Sequence, residues 1–297
     1  MFPRDIKRVI VPPIKCQGIK TKLVRFILSN IKWDGSGRWI EPFLGSGVVL
    51  FNARPKQALA SDINKHIIAL YTGIQKGIIT PDKVKFHLER EGDLLLKKGE
   101  HYYYEVRERF NREGNPLDLL FLSRACFNGV MRFNQKGEFN VPFCRKIDRF
   151  RKAYITKIVN QVRSVARVMQ GKDWMFECLD WREALENCRP NDFVYADPPY
   201  VGRHTDYYNR WSEKDLKELA DKLHELPCGW ALSLWKQNKY RRNELIEKYF
   251  PNLPVRTFSH EYFVGSFESL RNEMEEALII KKGFEVAEKS PIQITII

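Results

Sequence analysis

Four short apolar runs in this chain each end in an acidic residue, a pattern that admits few folds. Trp39 and Ile40 lead into Glu41, Ala58 to Ala60 into Ser61 and Asp62, the run 174–179 into Asp180, and Phe193 to Ala196 into Asp197. Read as strands, they place four carboxylates along one edge of a parallel sheet, the edge where α/β proteins bind ligands.

The last run ends in Asp197-Pro198-Pro199-Tyr200. Each proline ring locks φ and pushes the preceding residue out of the helical region, so the strand has a fixed exit path. Neither proline has an N–H. The Pro198 carbonyl is therefore an acceptor beside the Asp197 carboxylate, and the Tyr200 ring adds an aromatic face. Two acceptors and a stacking surface suit the amino edge of a nucleobase, although such a tetrapeptide also serves as an ordinary turn. Upstream, Glu41-Pro42-Phe43-Leu44-Gly45-Ser46-Gly47 followed by Val48 to Phe51 reads as strand, glycine turn and helix, a turn that lets the backbone approach a ligand. It lacks the lysine of a phosphate-binding loop. Two roles are open to Asp62: accepting ribose hydroxyls, or capping a helix that begins near Asn64.

The 297 residues, 43% hydrophobic, suffice for one sizeable α/β core and an inserted module. Cys16, Cys126, Cys144, Cys178, Cys188 and Cys228 show neither zinc-ligand nor disulfide spacing and read as reduced thiols of a cytoplasmic protein. No apolar stretch is long enough to cross a membrane, and no signal peptide is evident. The net charge of +13 is uneven: residues 119–152 carry Arg124, Arg132, Lys136, Arg145, Lys146, Arg149, Arg151 and Lys152 against Glu138 and Asp148. Such a cluster can be a solvated face; its coincidence with a hairpin pattern favours phosphate contact.

The sequence resembles the alpha-group N6-adenine DNA methyltransferases, the class containing Dam-type enzymes. The resemblance rests on the glycine turn, the Asp197 to Tyr200 box, the strand Glu276 to Ile280, and above all the stretch Cys126 to Phe143 with its Asn128-Gly129, Arg132, Asn134 and Gly137-Glu138-Phe139-Asn140-Val141-Pro142-Phe143. At the N-terminus the family's Lys-Trp-x-Gly-Gly-Lys reads Lys15-Cys16-Gln17-Gly18-Ile19-Lys20. The implied fold is α/β: a Rossmann-like methyltransferase sheet, mostly parallel with an antiparallel C-terminal hairpin, and an inserted helical target-recognition module carrying a β-hairpin. Residues 1–63 and 168–283 would form the catalytic domain, 64–167 the insert, and 284–297 a dispensable tail. Within the insert, Leu119, Leu120, Leu122 and Cys126 mark the buried side of a helix. Ser212 and Asp215 form a capping box for a helix with a Leu216, Leu219, Leu223 stripe.

By the same resemblance the cofactor is S-adenosylmethionine, held by Cys16, Lys20, Phe43, Gly45, Gly47, Asp62, Asp180, Trp181 and Asp197, with Lys20 on its carboxylate and no metal. Asp197, Pro198, Pro199 and Tyr200 would hold the N6 amine of an adenine flipped out of double-stranded DNA. Lys15, Phe127, Asn128, Val130, Arg132, Asn134, Asn140, Pro142 and Arg145 would contact that DNA, Lys15 and Arg132 on guanines, at a short palindrome of the GATC type. Phe127 is open to an intercalating or a core role, Asn140 to a base contact or a turn bond. A companion restriction endonuclease, not contacted directly, fits such an enzyme, as does a monomer or weak dimer. The rival readings are a methyltransferase acting on RNA or protein and a catalytically silent DNA-binding regulator.

Overall fold

The computed structural model describes residues 3, 6–16, 18–201, 211–263 and 271–287, with side chains at 260–263 and 271–273 excluded. Its sheet is built from β1 (Arg38–Glu41), β2 (Gln57–Ser61), β3 (Asp173–Glu177), β4 (Phe193–Ala196), β5 (Gly229–Asn238), β6 (Val255–Phe263) and β7 (Arg271–Ile280), in the order β3-β2-β1-β4-β5-β7-β6. The first five of these are mutually parallel, and β7 runs antiparallel to both β5 and β6. Chain direction along the sheet therefore reverses between β1 and β4, where the connections diverge and leave a crevice at the strand ends. Glu41 and Asp197 stand at that crevice.

Helices α1 (Val24–Asn30), α2 (Val48–Ala53) and α3 (Lys65–Gln75) belong to the sheet layers; α8 (Trp181–Ala184), α9 (Glu213–Glu225) and α10 (Leu245–Tyr249) do likewise. Ser212 and Asp215 form the capping box of α9, and Leu216, Leu219 and Leu223 are buried beneath it. Between β2 and β3 lie α4 (Pro81–Lys98), α5 (Glu100–Glu113), α6 (Pro116–Ala125) and α7 (Lys152–Met169). Thr80 and Asn115 cap α4 and α6, each followed by a proline at the first helical position, where no N–H is needed.

The insert has no separate core: one continuous apolar cluster includes Phe51 of α2 and Tyr195 of β4 together with Leu88, Phe110 and Val162 of the inserted helices. Helix α6 is buried from Asp118 to Ala125, so its apolar face is wider than the single side read from its leucines. Its one charged partner on α5 is Arg109, which donates to Asp118 and, across to α4, to Glu91; His87 Nε2 lies 3.1 Å from Asp118. Buried charges need such pairing, and removing one partner costs about 3–5 kcal/mol. With Arg109 on both carboxylates, the His87, Glu91 and Asp118 group is a staple across three helices.

The segment after Gly283 corrects the reading of a dispensable tail. The Phe284 N–H donates to Lys281, its carbonyl accepts from Lys32, and the Val286 N–H donates to Asn30. A Cβ on Gly229 would come within 2.3 Å of the Phe284 ring, which therefore fills the space glycine leaves at the start of β5. Residues 288–297 lie outside the described residues. No described helix is long and apolar enough to cross a membrane.

Candidate active site

Strand β4 is wholly buried and delivers Asp197 to the crevice. Lys20, 4% exposed, sets its Nζ 2.9 Å from Asp197 Oδ1, donates to the Gly18 carbonyl at 3.0 Å, and stands 5.0 Å from the centre of the Tyr200 ring. Burial pushes the Asp197 carboxyl up to about 6; Lys20 opposes that rise and Glu276 adds to it. The Tyr200 hydroxyl donates to Glu276 Oε2. Glu276 is buried on β7, so the C-terminal hairpin fixes the plane of the Tyr200 ring. The Tyr195 and Ser233 hydroxyls, 2.8 Å apart, close the floor.

Glu41, at the end of β1, is 2% exposed and accepts from Trp39 Nε1 at 3.0 Å. Burial pushes its carboxyl up to about 8. After it comes the glycine turn. Gly47 takes φ 69° as the cap of α2, and a Cβ there would meet the Phe51 ring at 2.7 Å, so this glycine is required by backbone and space together. It does not line the cleft, whereas Gly45 does. Asp62 organises the turn: Oδ2 accepts the Gly45 N–H at 2.8 Å and Oδ1 the Asn64 N–H at 2.9 Å. The cap of α3 is Asn64, which accepts from His66; the capping alternative for Asp62 is set aside.

Asp180 caps α8 through the Arg182 N–H at 2.9 Å and also receives Arg182 Nη1 at 3.1 Å. Trp181 is buried, Phe43 lies 6.4 Å from it, and Trp211 meets Phe43 edge-on at 5.5 Å. The resulting open cleft is lined by Cys16, Lys20, Phe43, Gly45, Asp62, Asp180, Trp181 and Asp197, and also by Glu41, Arg182, Trp211 and Asp215. The structure thus brings together around one cleft all of the residues expected to hold a cofactor except Gly47. Pro199 lines the same space, while Pro198 and Tyr200 lie buried behind it.

Glu276, Trp211 and Arg182 are among the members that sequence reasoning missed. Glu276 stood in a recognised strand with nothing to mark it beyond a carboxylate within an apolar run. Trp211 precedes the capping serine of α9, a position where an apolar residue often packs back on the helix.

The cleft suits a nucleoside-bearing cofactor of the S-adenosylmethionine type. Trp211 Nε1 is buried and without an acceptor among the described residues, the aromatic trio walls one end, and Asp62 and Asp180 keep lone pairs beyond those the backbone uses.

The second cluster forms on the insert. Residues 127–143 make an irregular hairpin with two isolated antiparallel bridges, Cys126 to Phe143 and Phe133 to Phe139. Gly137, at φ 81°, turns it, and Asn134 Oδ1 accepts the Lys136 and Glu138 N–H groups at 3.0 Å each. Asn134 is thus spent largely on the turn. Phe127 is 56% exposed, excluding the core role. Asn128, Pro142 and Arg145 are exposed as well, and Val130, Arg132 and Asn140 half-buried. Arg132 Nε donates to Asn140 Oδ1 at 2.9 Å, and Lys15 lies against Gly129. The hairpin therefore gathers Lys15, Phe127, Arg132 and Asn140 in one region.

A family model described as D12 class N6 adenine-specific DNA methyltransferase matches residues 17–250. The chain is 28% identical over 282 residues to the Type II methyltransferase M.FokI of Planomicrobium okeanokoites, covering 91% of this chain and 42% of that protein. It is 30% identical over 287 residues to the Modification methylase StsI of Streptococcus sanguinis, covering 92% and 43%. With a DNA adenine methylase of Serratia marcescens it shares 32% identity over 197 residues, 63% of this chain and 68% of that one. The chain thus spans less than half the length of the first two relatives.

Proposed function

Because the chain belongs to the D12 class of N6 adenine-specific DNA methyltransferases, we propose that it transfers a methyl group from S-adenosylmethionine to N6 of an adenine flipped out of a short duplex site. The observation that carries this reading is Asp197 at the sheet's switch point, beside the ring of Tyr200 and opening onto a cleft lined by Phe43, Asp62, Asp180 and Trp181. When bound, S-adenosylmethionine supplies an electrophilic methyl on a sulfonium.

The chain's residues do the rest by positioning. Asp62 receives the ribose hydroxyls, Asp180 and Trp181 hold the cofactor's adenine, and Lys20 lies where it can shift from Asp197 to a carboxylate in the cleft. Flipping the target base costs roughly a few kcal/mol. The Tyr200 ring, with its hydroxyl held by Glu276, presents a face for the extruded base. Asp197 and the Pro198 carbonyl accept the N6 hydrogens and keep the nitrogen lone pair out of the ring, aimed along the line of displacement. A carboxylate, not a carboxylic acid, performs this task, so activity follows the ionised form of Asp197.

Reading of the site falls to the hairpin: the Arg132 fork and Lys15 on guanine edges, Phe127 as the wedge, Asn128 toward the orphaned base. GATC is the first sequence to test. The names type II methyltransferase and modification methylase among its relatives support a modification role, which we assign to a monomer or weak dimer working in the cytoplasm beside a restriction endonuclease.

The test is transfer of labelled methyl groups to unmodified plasmid by the wild type and Asp197→Ala, with N6-methyladenine located by sequencing. Label confined to one short motif and absent with the variant supports the reading. Equal labelling by both proteins refutes the mechanism, and label only in RNA or protein refutes the substrate.

A further inference from the structure

Strand β5 outruns its parallel neighbour. Leu232 lies opposite Ala196, the last residue of β4, yet β5 continues to Asn238, about five residues and hence ~17 Å beyond the level of Asp197 at the usual strand rise. It ends in a built turn. Asn238 Oδ1 accepts the Tyr240 and Arg241 N–H groups at 2.9 Å each, the Asn238 N–H donates to the Arg241 carbonyl, and Gln237 bridges to Arg242. Residues 236–243 hold four cations and no acid. Two are already matched, Lys236 with Glu275 and Arg242 with Glu247; Lys239 and Arg241 are exposed and meet no carboxylate among the described residues. Tyr240, 71% exposed, is the most exposed large apolar side chain described.

We propose that this turn is a second DNA-contacting surface, on the catalytic side of the molecule, which grips the phosphate backbone beside the flipped base. The inference rests on the duplex-binding reading above. With the target base drawn down to Asp197, the duplex it left must lie outside the carboxyl edge, and a cationic turn projecting from that edge is the part of the sheet that reaches its backbone. Lys239 and Arg241 supply charge, and the Tyr240 hydroxyl hydrogen-bonds a phosphate oxygen, contacts that position the duplex without reading its sequence.

Binding of two short labelled duplexes, one with and one without GATC, is followed against salt concentration for the wild type and Lys239→Ala/Arg241→Ala. Each lost phosphate contact reduces the slope of log K against log salt by about 0.9, so the double variant's slope is shallower by about 2 on both duplexes, with the ratio of affinities between them unchanged. Arg241→Lys, keeping the charge, retains the wild-type slope, and an unchanged unfolding temperature shows the variants fold. A slope equal to the wild type's overturns the turn's role alone. A loss confined to the GATC duplex overturns it as well, because that is base reading. A wild type without salt-dependent duplex binding overturns the functional reading together with this one.

Discussion

Replacing Lys20 by methionine keeps the aliphatic stem and removes the charge beside Asp197. The cation lies 2.9 Å from the carboxylate, with side-chain exposures of 4% and 21%, so solvent screens it little. An opposite charge this close favours the ionised form by about 1–3 pH units, or about 1.4–4 kcal/mol. In the native protein the Asp197 carboxyl sits at about 6 because burial outweighs Lys20, with Glu276 raising it further. Without Lys20 both remaining influences push upward, toward ~7–9 by that range. At pH 7 the ionised fraction then falls from about nine-tenths to between a half and a hundredth. The pH dependence of kcat/KM for DNA reports the essential groups before substrate binds. Its acid limb should move up by about 1–3 pH units in Lys20→Met, with activity regained at alkaline pH, and stay near 6 in Lys20→Arg. A role for Lys20 confined to the cofactor carboxylate would instead raise the cofactor's KM and leave the limb where it was. An unmoved limb in Lys20→Met refutes the reasoning.

Glu41 gives a stability test with a definite sign. Its carboxyl is raised from 4.5 to about 8, so between those values the folded chain retains a proton that the unfolded chain has shed, and stability declines as pH rises. At pH 7 the loss is on the order of 3 kcal/mol. Glu41→Gln, whose carbonyl can still accept from Trp39, should melt close to the wild type at pH 4.5 and well above it at pH 8; parallel melting curves across that range would contradict the buried acid. On the hairpin, Arg132→Ala should cost about 1–3 kcal/mol of discrimination at one base pair. Asn140→Ala should relax the same base pair, because Asn140 holds the arginine's Nε, and the double variant should fall short of the sum. Methylation rates on singly substituted duplexes measure all three, and effects at two different base pairs would separate the residues.

Much of this protein is local in origin and therefore legible in its sequence. Strand tips, the glycine turn, the Ser212 capping box and the Gly137 turn each depend on residues a few positions apart, where backbone sterics and periodicity act directly. So the four acidic tips, the Asp197 to Tyr200 box and the exposed hairpin stand where their spacing implied. The placement of Asp62 shows the limit. Its position at a strand tip was readable, but which backbone amides it would accept depended on how the glycine turn folded back to Ser61.

The remaining features needed the tertiary structure. Lys20 meets Asp197, Glu276 holds Tyr200, and Phe284 fills the space over Gly229. Each pair is far apart in the chain; the last two meet only because β4, β5 and β7 are neighbours in a given register, and Lys20 reaches Asp197 from the segment ahead of α1. A slip of one residue in β7 would send Glu276 to the opposite face. Helix α6, too, has leucines that imply one buried side, while the burial of Asp118 and Arg124 on its others depends on partners supplied by Arg109, Pro13 and Gln161. From its sequence alone the chain determined its strands, turns and acidic edge, since those follow from near neighbours. Strand order and register decided which charges face one another in the cleft, because burial and pairing belong to the assembled sheet and to no single segment of it.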